Sequence, residues 1–253
     1  MILLTEPFGN HSNRLFQAIH IEAWCLENDI PFYNLCFNDM KPYYEIKSNC
    51  ASKSLFLLNK LSLLRFFPLV DLEKCGGKIV ASDRTIRVKG WAYDESNILT
   101  EKYRPYFQKK YALREDIANS NSFISNFNVL KQDHVVVGIH VRRGDYKIWC
   151  DGKYYFDDNV YSKCIDRMKA LLAGNKCVYI IFSNEDVSLK GDEIITSKND
   201  WYIDHYLMSR CDYLIGPPST FTMWASYIGE VPLYHITSDS ISFNLDDFTV
   251  CGG

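Results

Sequence analysis

The feature that most constrains the fold is a regular alternation of strands and helices that begins at residue 134. The first strand is predicted over His134–Val141, where consecutive valines are typical of a strand buried in a parallel sheet. A helix follows over Asp157–Ala173, with apolar side chains at every fourth position from Phe156. This order predicts a parallel, doubly wound α/β sheet. The remaining predicted elements are strands at Cys177–Ser183, Asp212–Gly216 and Val231–Ile236 and helices at Tyr202–Cys211 and Ser219–Tyr227.

The first half of the chain predicts a second α/β unit with a less regular middle. It opens with a strand at Met1–Leu4, a helix with one apolar face, and a strand at Ile30–Tyr33. The stretch Asn119–Asn128 is rich in Asn and Ser, which indicates a helix end and a linker. We therefore predict domains at 1–125 and 126–253. The middle is predicted to contain helices near Ser54–Phe67 and Glu101–Lys110 and strands near Lys78–Val80 and Arg84–Lys89.

Composition excludes several classes of protein. The chain has 253 residues, of which 47% are hydrophobic and 23% charged, as in ordinary globular proteins. A net charge of -3 argues against a nucleic-acid partner, which would select a basic surface. No apolar run approaches the roughly 18 residues of a transmembrane helix, and peripheral membrane association stays open. Nine scattered cysteines favour free thiols over disulfides or a zinc site, so we expect a cytoplasmic protein without a metal cofactor.

The sharpest chemical feature is the segment His140–Tyr146, which follows the strongest predicted strand. Ligands of open α/β sheets bind at the carboxyl ends of strands. Arg142 and Arg143 suit an anionic ligand, because a guanidinium stays charged and donates two parallel hydrogen bonds to phosphate oxygens. We expect both side chains to point out of the strand end. The alternative is a surface loop in which an arginine pairs with Asp145.

A second candidate site lies where a strand ends at Gly216 and a helix begins. Two prolines separate them, and Ser219 or Thr220 is predicted to cap the helix. The N-terminus of a helix attracts anions, although a plain cap is by itself the simpler interpretation of these residues. The segments Phe8–Gln17, with Asn13, and Phe182–Asp186 are further polar loops after predicted strands.

Together these segments resemble the glycosyltransferases that use GDP-fucose, most closely the α-1,2-fucosyltransferases of glycosyltransferase family 11. The family has a later segment near Asn-Ser-Ser-Phe-Ser-Trp-Trp-Ala, which resembles Pro218–Ala225, and an opening Gly-Asn-Gln-hydrophobic-Phe-Gln, which resembles Ser12–Gln17. This chain departs from the pattern at Ser12, Pro218 and Met223. The family's His-x-Arg-Arg-x-Asp run is matched by His140, Arg142, Arg143 and Asp145.

The resemblance implies a GT-B fold, in which two Rossmann-like domains face a cleft. It implies that 1–125 is the acceptor side and that 126–253 binds GDP-fucose. It also implies inverting, metal-independent transfer of fucose to a glycan hydroxyl, with an α-1,2 linkage to a galactose-type sugar. A fucosyltransferase of another linkage, another GDP-sugar transferase, or a non-catalytic nucleotide- or sugar-binding domain are the alternatives.

The same resemblance implies roles for individual residues. Arg142 and Arg143 would stabilise the leaving diphosphate. Asp145 is the candidate general base or a residue that orients its neighbours, and Glu6 is the second candidate for the base. The implied donor-binding residues are Asn13, His140, Arg142, Arg143, Ser183, Asn184, Pro218, Ser219, Thr220 and Phe221.

Overall fold

The protein, seen in a computed structural model that describes residues 1–47, 50–76, 79, 84–91 and 96–253, consists of two compact units. The first unit comprises 1–114 with 252–253, and the second unit comprises 115–251. Each is built on a parallel sheet with helices, so the predicted α/β class is confirmed. None of the described helices is both long and apolar enough to cross a bilayer.

The sheet of the first unit is small. Its four strands are parallel, lie in the order β2-β1-β4-β3, and have three or four residues each. The strands are β1 (Ile2–Leu4), β2 (Phe32–Asn34), β3 (Leu69–Asp71) and β4 (Ile86–Lys89), and the helices are α1 (His11–Glu27), α2 (Cys50–Lys60), α3 (Ile98–Lys102) and α4 (Arg104–Lys110).

Several elements of the first unit differ from their predicted limits. The helix predicted over Ser54–Phe67 ends at Lys60, and Ser62 then takes the left-handed conformation (φ 61). The helix predicted over Glu101–Lys110 is split into α3 and α4. Pro105 lies in the first turn of α4, where its missing N–H costs nothing. The sequence did not predict β3, and residues 78 and 80 of the predicted strand Lys78–Val80 lie outside the described residues.

The sheet of the second unit is larger and follows the predicted order of elements, with one additional strand at Ile194–Thr196 that the sequence did not predict. Five parallel strands lie in the order β7-β6-β5-β8-β9. The strands are β5 (Val135–Val141), β6 (Cys177–Ser183), β7 (Ile194–Thr196), β8 (Tyr213–Gly216) and β9 (Leu233–His235), and the helices are α5 (Glu115–Ser120), α6 (Ser122–Leu130), α7 (Asp158–Leu171), α8 (Trp201–Met208) and α9 (Thr220–Gly229).

The core of the second unit explains why these strands and helices form. The predicted four-residue repeat of α7 is confirmed, since Val160, Cys164 and Met168 are buried against the sheet with Val137 and Ile139 of β5. These side chains exclude water from both the helix and the strand, which stabilises the two elements together.

Strand order in the second unit creates a topological switch point. From β5 the chain moves to β6 and β7 on one side and then returns to β8 and β9 on the other side. The connections that leave β5 and β8 therefore diverge at the carboxyl ends of these two strands. Ligands of open α/β sheets bind at such a point.

The second unit begins at Glu115, whereas the boundary was predicted at 125/126. The predicted helix end is present, since α5 ends at Ser120, but α6 begins at Ser122 in place of a linker, because Asn121 uses its side chain to start α6. Its Oδ1 accepts a hydrogen bond from the backbone N–H of Ile124 (3.0 Å), and its amide donates to Oδ1 of Asn199 (3.1 Å). Ile124 and Phe127 are buried in the second unit. An asparagine that caps a helix therefore replaces the linker that composition suggested.

Candidate active site

Three polar loops meet at the carboxyl edge of the second sheet. They follow β5, β6 and β8, which are neighbouring parallel strands. The backbone N–H of Arg143 lies 3.5 Å from Oδ1 of Asn184, and the hydroxyl of Tyr146 donates to the carbonyl of Pro218 at 2.5 Å. The structure thereby brings together the predicted segments that follow all three strands.

Tyr146 fastens the loop after β5 to the loop after β8. Its side chain is buried, and its ring lies 4.7 Å from that of Trp149 and 5.7 Å from the Arg142 guanidinium carbon. Burial raises the pKa of Tyr146, so the hydroxyl keeps the proton that it donates to Pro218. The sequence analysis did not assign a role to Tyr146, although its place directly after the His-x-Arg-Arg-x-Asp run was the available signal.

Arg142 is the half-buried cation of the site. One terminal nitrogen lies 3.0 and 3.1 Å from the two carboxylate oxygens of Asp145. The ion pair that was the alternative to a ligand site is therefore present. It uses one nitrogen of a guanidinium that carries five N–H donors, so the other terminal nitrogen and Nε have the capacity to bind an anion. Asp145 is thereby placed to fix the direction of Arg142.

Arg143 points into the second unit, which corrects the expectation that both arginines point out of the strand end. Its side chain is 10% exposed. Nε donates to the carbonyl of Phe156 (3.1 Å), and a terminal nitrogen pairs with Asp158. The Arg142 side chain pairs instead with Asp145, which is exposed. Arg142 and Arg143 therefore separate into one partly exposed and one inward-facing cation.

Asp158 supplies the negative charge that pairs with Arg143. Burial by itself would raise the pKa of this carboxyl group. Hydrogen bonds from Arg143 and from Ser188 outweigh burial and hold the pKa below its usual value. Asp158 is thus an anion at neutral pH, and the pair fixes the loop after β5 to the start of α7.

The start of α9 supplies the second feature suited to an anion. Oγ of Ser219 accepts a hydrogen bond from the backbone N–H of Phe221 (3.2 Å), so Ser219 is the helix cap and Thr220 the first helical residue. The first turn contains no acidic residue, and Thr220 is partly exposed. The positive end of the helix dipole therefore lies beside the β8 loop without an acidic side chain in that turn.

His140 forms an uncharged wall of this site. Its ring lies 5.2 Å from that of Phe221, which in turn lies 4.0 Å from the ring of His205. Burial, together with the nearby charge of Arg142, lowers the pKa of His140 to about 3. A Cβ at Gly216 would lie 3.0 Å from the Cβ and the carbonyl oxygen of His140, so a side chain there would crowd this wall. His140 is therefore a neutral packing group at physiological pH.

Ser183 and Asn184 complete the edge on the β6 side. Oγ of Ser183 accepts a hydrogen bond from the backbone N–H of Glu185 (3.1 Å), which closes the turn. Asn184 is exposed beside Gly144, which has a positive φ of 60. A Cβ at Gly144 would lie 3.2 Å from the amide nitrogen of Asn184. Glycine thus permits the close approach of these two loops.

Asn13 lies in the first unit, in the first turn of α1, and is partly exposed. The preceding turn needs the positive φ of Gly9 (61), and a Cβ there would collide with the Asn13 side chain. Buried Gln17 braces the same loop: it accepts from the Phe8 N–H (3.2 Å) and donates to the Gly90 carbonyl (2.8 Å). The part of Asn13 in donor binding stays a prediction.

The first unit also contains a cavity of about 740 Å³. Among its lining residues, Glu22 accepts hydrogen bonds from the Tyr106 hydroxyl (2.7 Å) and from Lys110 (2.5 Å). Burial and the charge of Lys110 lower the pKa of Lys41. The other side chains that line the cavity include Phe32, Tyr33, Phe37, Glu45, Lys47, Lys109 and Tyr111. Aromatic rings and charged groups thus share one cavity.

The sequence predicts neither a metal site nor disulfide bonds. In the part of the chain that the structure describes, no group of three His, Cys, Asp or Glu side chains could hold a metal ion. That the reaction needs no metal stays a prediction. All nine cysteines are among the described residues, and each is a free thiol.

Comparison with solved structures defines the class of fold. A crystal structure of NodZ alpha-1,6-fucosyltransferase soaked with GDP-fucose matches with a TM-score of 0.61 at 15% identity, covering 98% of this chain and 96% of that one. Arabidopsis thaliana FUT1 in complex with GDP matches with a TM-score of 0.60 at 12% identity, covering 98% and 73%. POFUT1 in complex with GDP-fucose has a TM-score of 0.55 at 11% identity, covering 90% and 93%. The fold is the predicted GT-B type.

Sequence comparison then gives the family. The profile of glycosyl transferase family 11 matches residues 79–238. The chain belongs to that family. It is similar to the mouse galactoside alpha-(1,2)-fucosyltransferase 2, with 27% identity over 143 residues. The match spans 49% of this chain and 40% of the mouse protein.

Proposed function

We propose that the protein transfers fucose from GDP-fucose to a hydroxyl group of a glycan acceptor. The observation that carries this proposal is the hydrogen bond from Tyr146, whose ring lies beside Arg142, to the carbonyl of Pro218, two residues before α9 begins. Membership of family 11 and the similarity to an α-1,2-fucosyltransferase support it. So does a fold shared with structures that contain GDP or GDP-fucose.

In the proposed reaction, one cation and the start of one helix together stabilise the leaving diphosphate. Cleavage of the bond between fucose and GDP leaves developing negative charge on the diphosphate. Arg142 would stabilise that charge with two hydrogen bonds, and the start of α9, with Ser219 and Thr220, would contribute its dipole and N–H groups. Preorganised donors of this kind are often worth a factor of about 10² to 10³ in rate. Asn184 and Phe221 lie at the same edge and would contact the nucleoside part.

Asp145 is proposed as a positioning residue and not as the general base. It is 57% exposed and is paired with Arg142, so its negative charge is engaged in holding the guanidinium. A residue that holds Arg142 affects donor binding, whereas a base would produce its own limb in the pH profile of the transfer rate. Asp145→Asn separates the two roles: we expect weaker GDP binding without loss of a pH limb.

The first unit is the proposed acceptor side. Its cavity combines ring faces, which suit the apolar faces of sugars, with polar side chains that suit hydroxyl groups. The linkage is proposed to be α-1,2 to a galactose-type sugar, on the similarity to the mouse enzyme. Inversion at the anomeric carbon and independence of metal ions are further parts of the proposal. A cytoplasmic location is proposed from the nine free thiols.

The experiment has two stages. In the first, the full chain is mixed with GDP and EDTA, and we expect a rise in melting temperature, because a ligand at 100 times its Kd adds about 2.7 kcal/mol of stability. A shift that appears only with Mn²⁺ or Mg²⁺ would contradict metal independence, and no shift in either case would contradict the donor site.

In the second stage, GDP-fucose is supplied with an array of glycans. Transfer to terminal galactose at the 2-hydroxyl would support the proposed linkage, and transfer to another hydroxyl would correct it. Binding of GDP without transfer or release of fucose would instead favour a non-catalytic nucleotide-binding protein.

A further inference from the structure

The first unit exposes a concentration of apolar side chains near α2. Of the fourteen large hydrophobic side chains that the described residues expose, six lie between positions 57 and 69, with exposed fractions from 36% to 75%. Isolated exposed apolar side chains are normal, but six within thirteen consecutive residues are concentrated in one segment, and concentrated exposed apolar area is typical of interaction surfaces. The six are Leu57, Leu58, Leu61, Leu63, Phe66 and Leu69.

The same stretch, residues 50–70, is held firmly on its inner face; we refer to it as the apolar segment. Leu64 is buried in a cluster with Leu3 and Leu35, and Leu55 and Phe67 pack against it. Arg87 of β4 donates hydrogen bonds to the backbone carbonyls at 67 (3.1 Å) and 65 (3.4 Å). The outer side chains are therefore exposed by a folded segment whose inner face already has its partners.

Charge distinguishes the possible partners of this surface. The apolar segment contains three basic residues, Lys53, Lys60 and Arg65, and no acidic residue, although the chain as a whole has a net charge of -3. All three basic residues are exposed. In a two-fold dimer built on this surface the segment would face its own copy, and three cations would meet three cations. An anionic surface has no such conflict.

We propose that the apolar segment seats the first unit on the surface of a bilayer that contains anionic lipids. The leucines and Phe66 would enter the boundary between head groups and acyl chains, and the three cations would bind lipid phosphates. An apolar surface bordered by Lys and Arg is the combination that such interfacial binding requires. The proposal does not depend on fucosyl transfer.

The test is co-sedimentation of the full chain with two kinds of vesicle. One consists of phosphatidylcholine alone, and the other of equal parts phosphatidylcholine and phosphatidylglycerol. We expect binding to the anionic vesicles that weakens as salt increases, and little binding to the neutral ones. Absence of binding to anionic vesicles would overturn the proposal.

Two double variants separate the apolar and charged contributions. Lys60→Gln with Arg65→Gln should weaken binding about 25-fold, since each basic residue near an anionic surface contributes about fivefold. Leu61→Ser with Phe66→Ser should weaken it by about 10²-fold or more, because two buried apolar side chains are lost. Melting temperatures should stay close to that of the wild type, as all four side chains are exposed.

Matched variants outside the apolar segment provide the controls. Ile98 and Val129 are 65% and 63% exposed, and Lys163 and Lys190 are exposed cations of the second unit. Ile98→Ser with Val129→Ser, and Lys163→Gln with Lys190→Gln, should bind vesicles like the wild type. Equal losses in test and control variants would overturn the proposal.

A second copy of the chain is the competing occupant, and sedimentation velocity without lipid addresses it. The proposal expects a monomer across the concentration range. A dimer that Leu61→Ser with Phe66→Ser converts to a monomer would assign the surface to a second copy and overturn the proposal.

Discussion

The two units belong to the same α/β class of fold, but the secondary structure of the second unit is more regular than that of the first. In the second unit β5 and β6 pair over seven residues, and one buried cluster joins the sheet to α7 and the C-terminal loops. In the first unit every strand has three or four residues, and the buried residues divide into smaller clusters. The seven-residue strand β5 is paired with β6 on one side and β8 on the other, which holds the loop after β5 at a fixed position. The first unit places its cavity and its exposed apolar segment among short elements.

That difference suits the two proposed roles. Stabilising a leaving diphosphate requires donors at fixed positions, and donors at the ends of paired strands have little freedom to move. Recognition of an acceptor or of a membrane depends more on the shape and composition of irregular segments. Substitutions that remove hydrogen-bond donors from the proposed donor site of the second unit should therefore affect transfer, and substitutions in the first unit should affect stability or surface binding.

The largest expected effect distinguishes the role of Arg142 from that of the adjacent Arg143. Lysine keeps the charge of Arg142 but loses the paired hydrogen bonds, so Arg142→Lys should lower the transfer rate about 10²- to 10³-fold, or about 3 to 4 kcal/mol, with a smaller loss of GDP affinity. Its melting temperature should not change. Transfer assays measure the transfer rate, and GDP titration measures the affinity for GDP.

Arg143→Lys is the matched control for that variant. Because Arg143 contacts both the Phe156 carbonyl and Asp158, lysine should fail to reach both, and the main loss should be in melting temperature. A near-wild-type transfer rate for Arg142→Lys would show that this residue does not stabilise the leaving group.

The next effect tests the stability of the second unit against pH. Asp204 is buried, and burial raises its pKa from 3.8 to about 7, although the Ser197 hydroxyl opposes the shift. A carboxyl with a raised folded-state pKa stabilises the fold when protonated. Its contribution is therefore lost as pH rises from about 4 to about 7. Relative to Asp204→Asn, the wild type should lose about 2 to 3 kcal/mol over that range.

Urea unfolding at several pH values measures this difference. Asp166→Asn, an exposed carboxyl of α7, is the control and should follow the wild type at every pH. A constant difference between the wild type and Asp204→Asn would show that the carboxyl does not titrate in this range.

A smaller effect should stay within the first unit. Among the residues that the structure describes, Lys110→Met leaves the buried Glu22 carboxylate with the Tyr106 hydroxyl as its one side-chain donor, and it should lower the free energy of unfolding by about 2 kcal/mol. GDP affinity should be unchanged, because the proposed donor site is in the other unit. Lys102→Met, at an exposed pair with Glu27, should have no measurable effect on melting. Loss of GDP binding in Lys110→Met would contradict the proposed division of roles.

The smallest effect sharpens the description of the donor site. Tyr146→Phe removes the hydrogen bond to the Pro218 carbonyl and should weaken GDP binding about fivefold, which corresponds to about 1 kcal/mol. Tyr154→Phe is the control, since that partly exposed ring packs against Trp149 and should tolerate loss of its hydroxyl. Isothermal titration measures the GDP affinity of both variants, and equal affinities would show that the Tyr146 hydroxyl does not support the donor site.

Much of the second unit could be predicted from the sequence. The limits of β6 match the prediction, and those of β5, β8, α7 and α9 differ by one or two residues. These elements are long or strongly apolar, and their periodicity follows from backbone geometry alone. The first unit was harder to predict, because strands as short as β3 contain too few residues to show a hydrophobic period. Asn121 also misled the prediction, since asparagine is favoured both in loops and at helix caps.

The sequence by itself determined the α/β class, the alternation of the second unit and the polar segments that follow its strands. It could do so because spacing along the chain decides helix and strand, and because parallel strands end at one edge. Only the tertiary structure decided that Arg142 is half-exposed while Arg143 is buried with Asp158, and that Tyr146 reaches Pro218. Tyr146 and Pro218 lie 72 residues apart in sequence, and they meet because β8 lies next to β5. Strand order depends on how all the apolar faces pack together, and no local pattern contains that information.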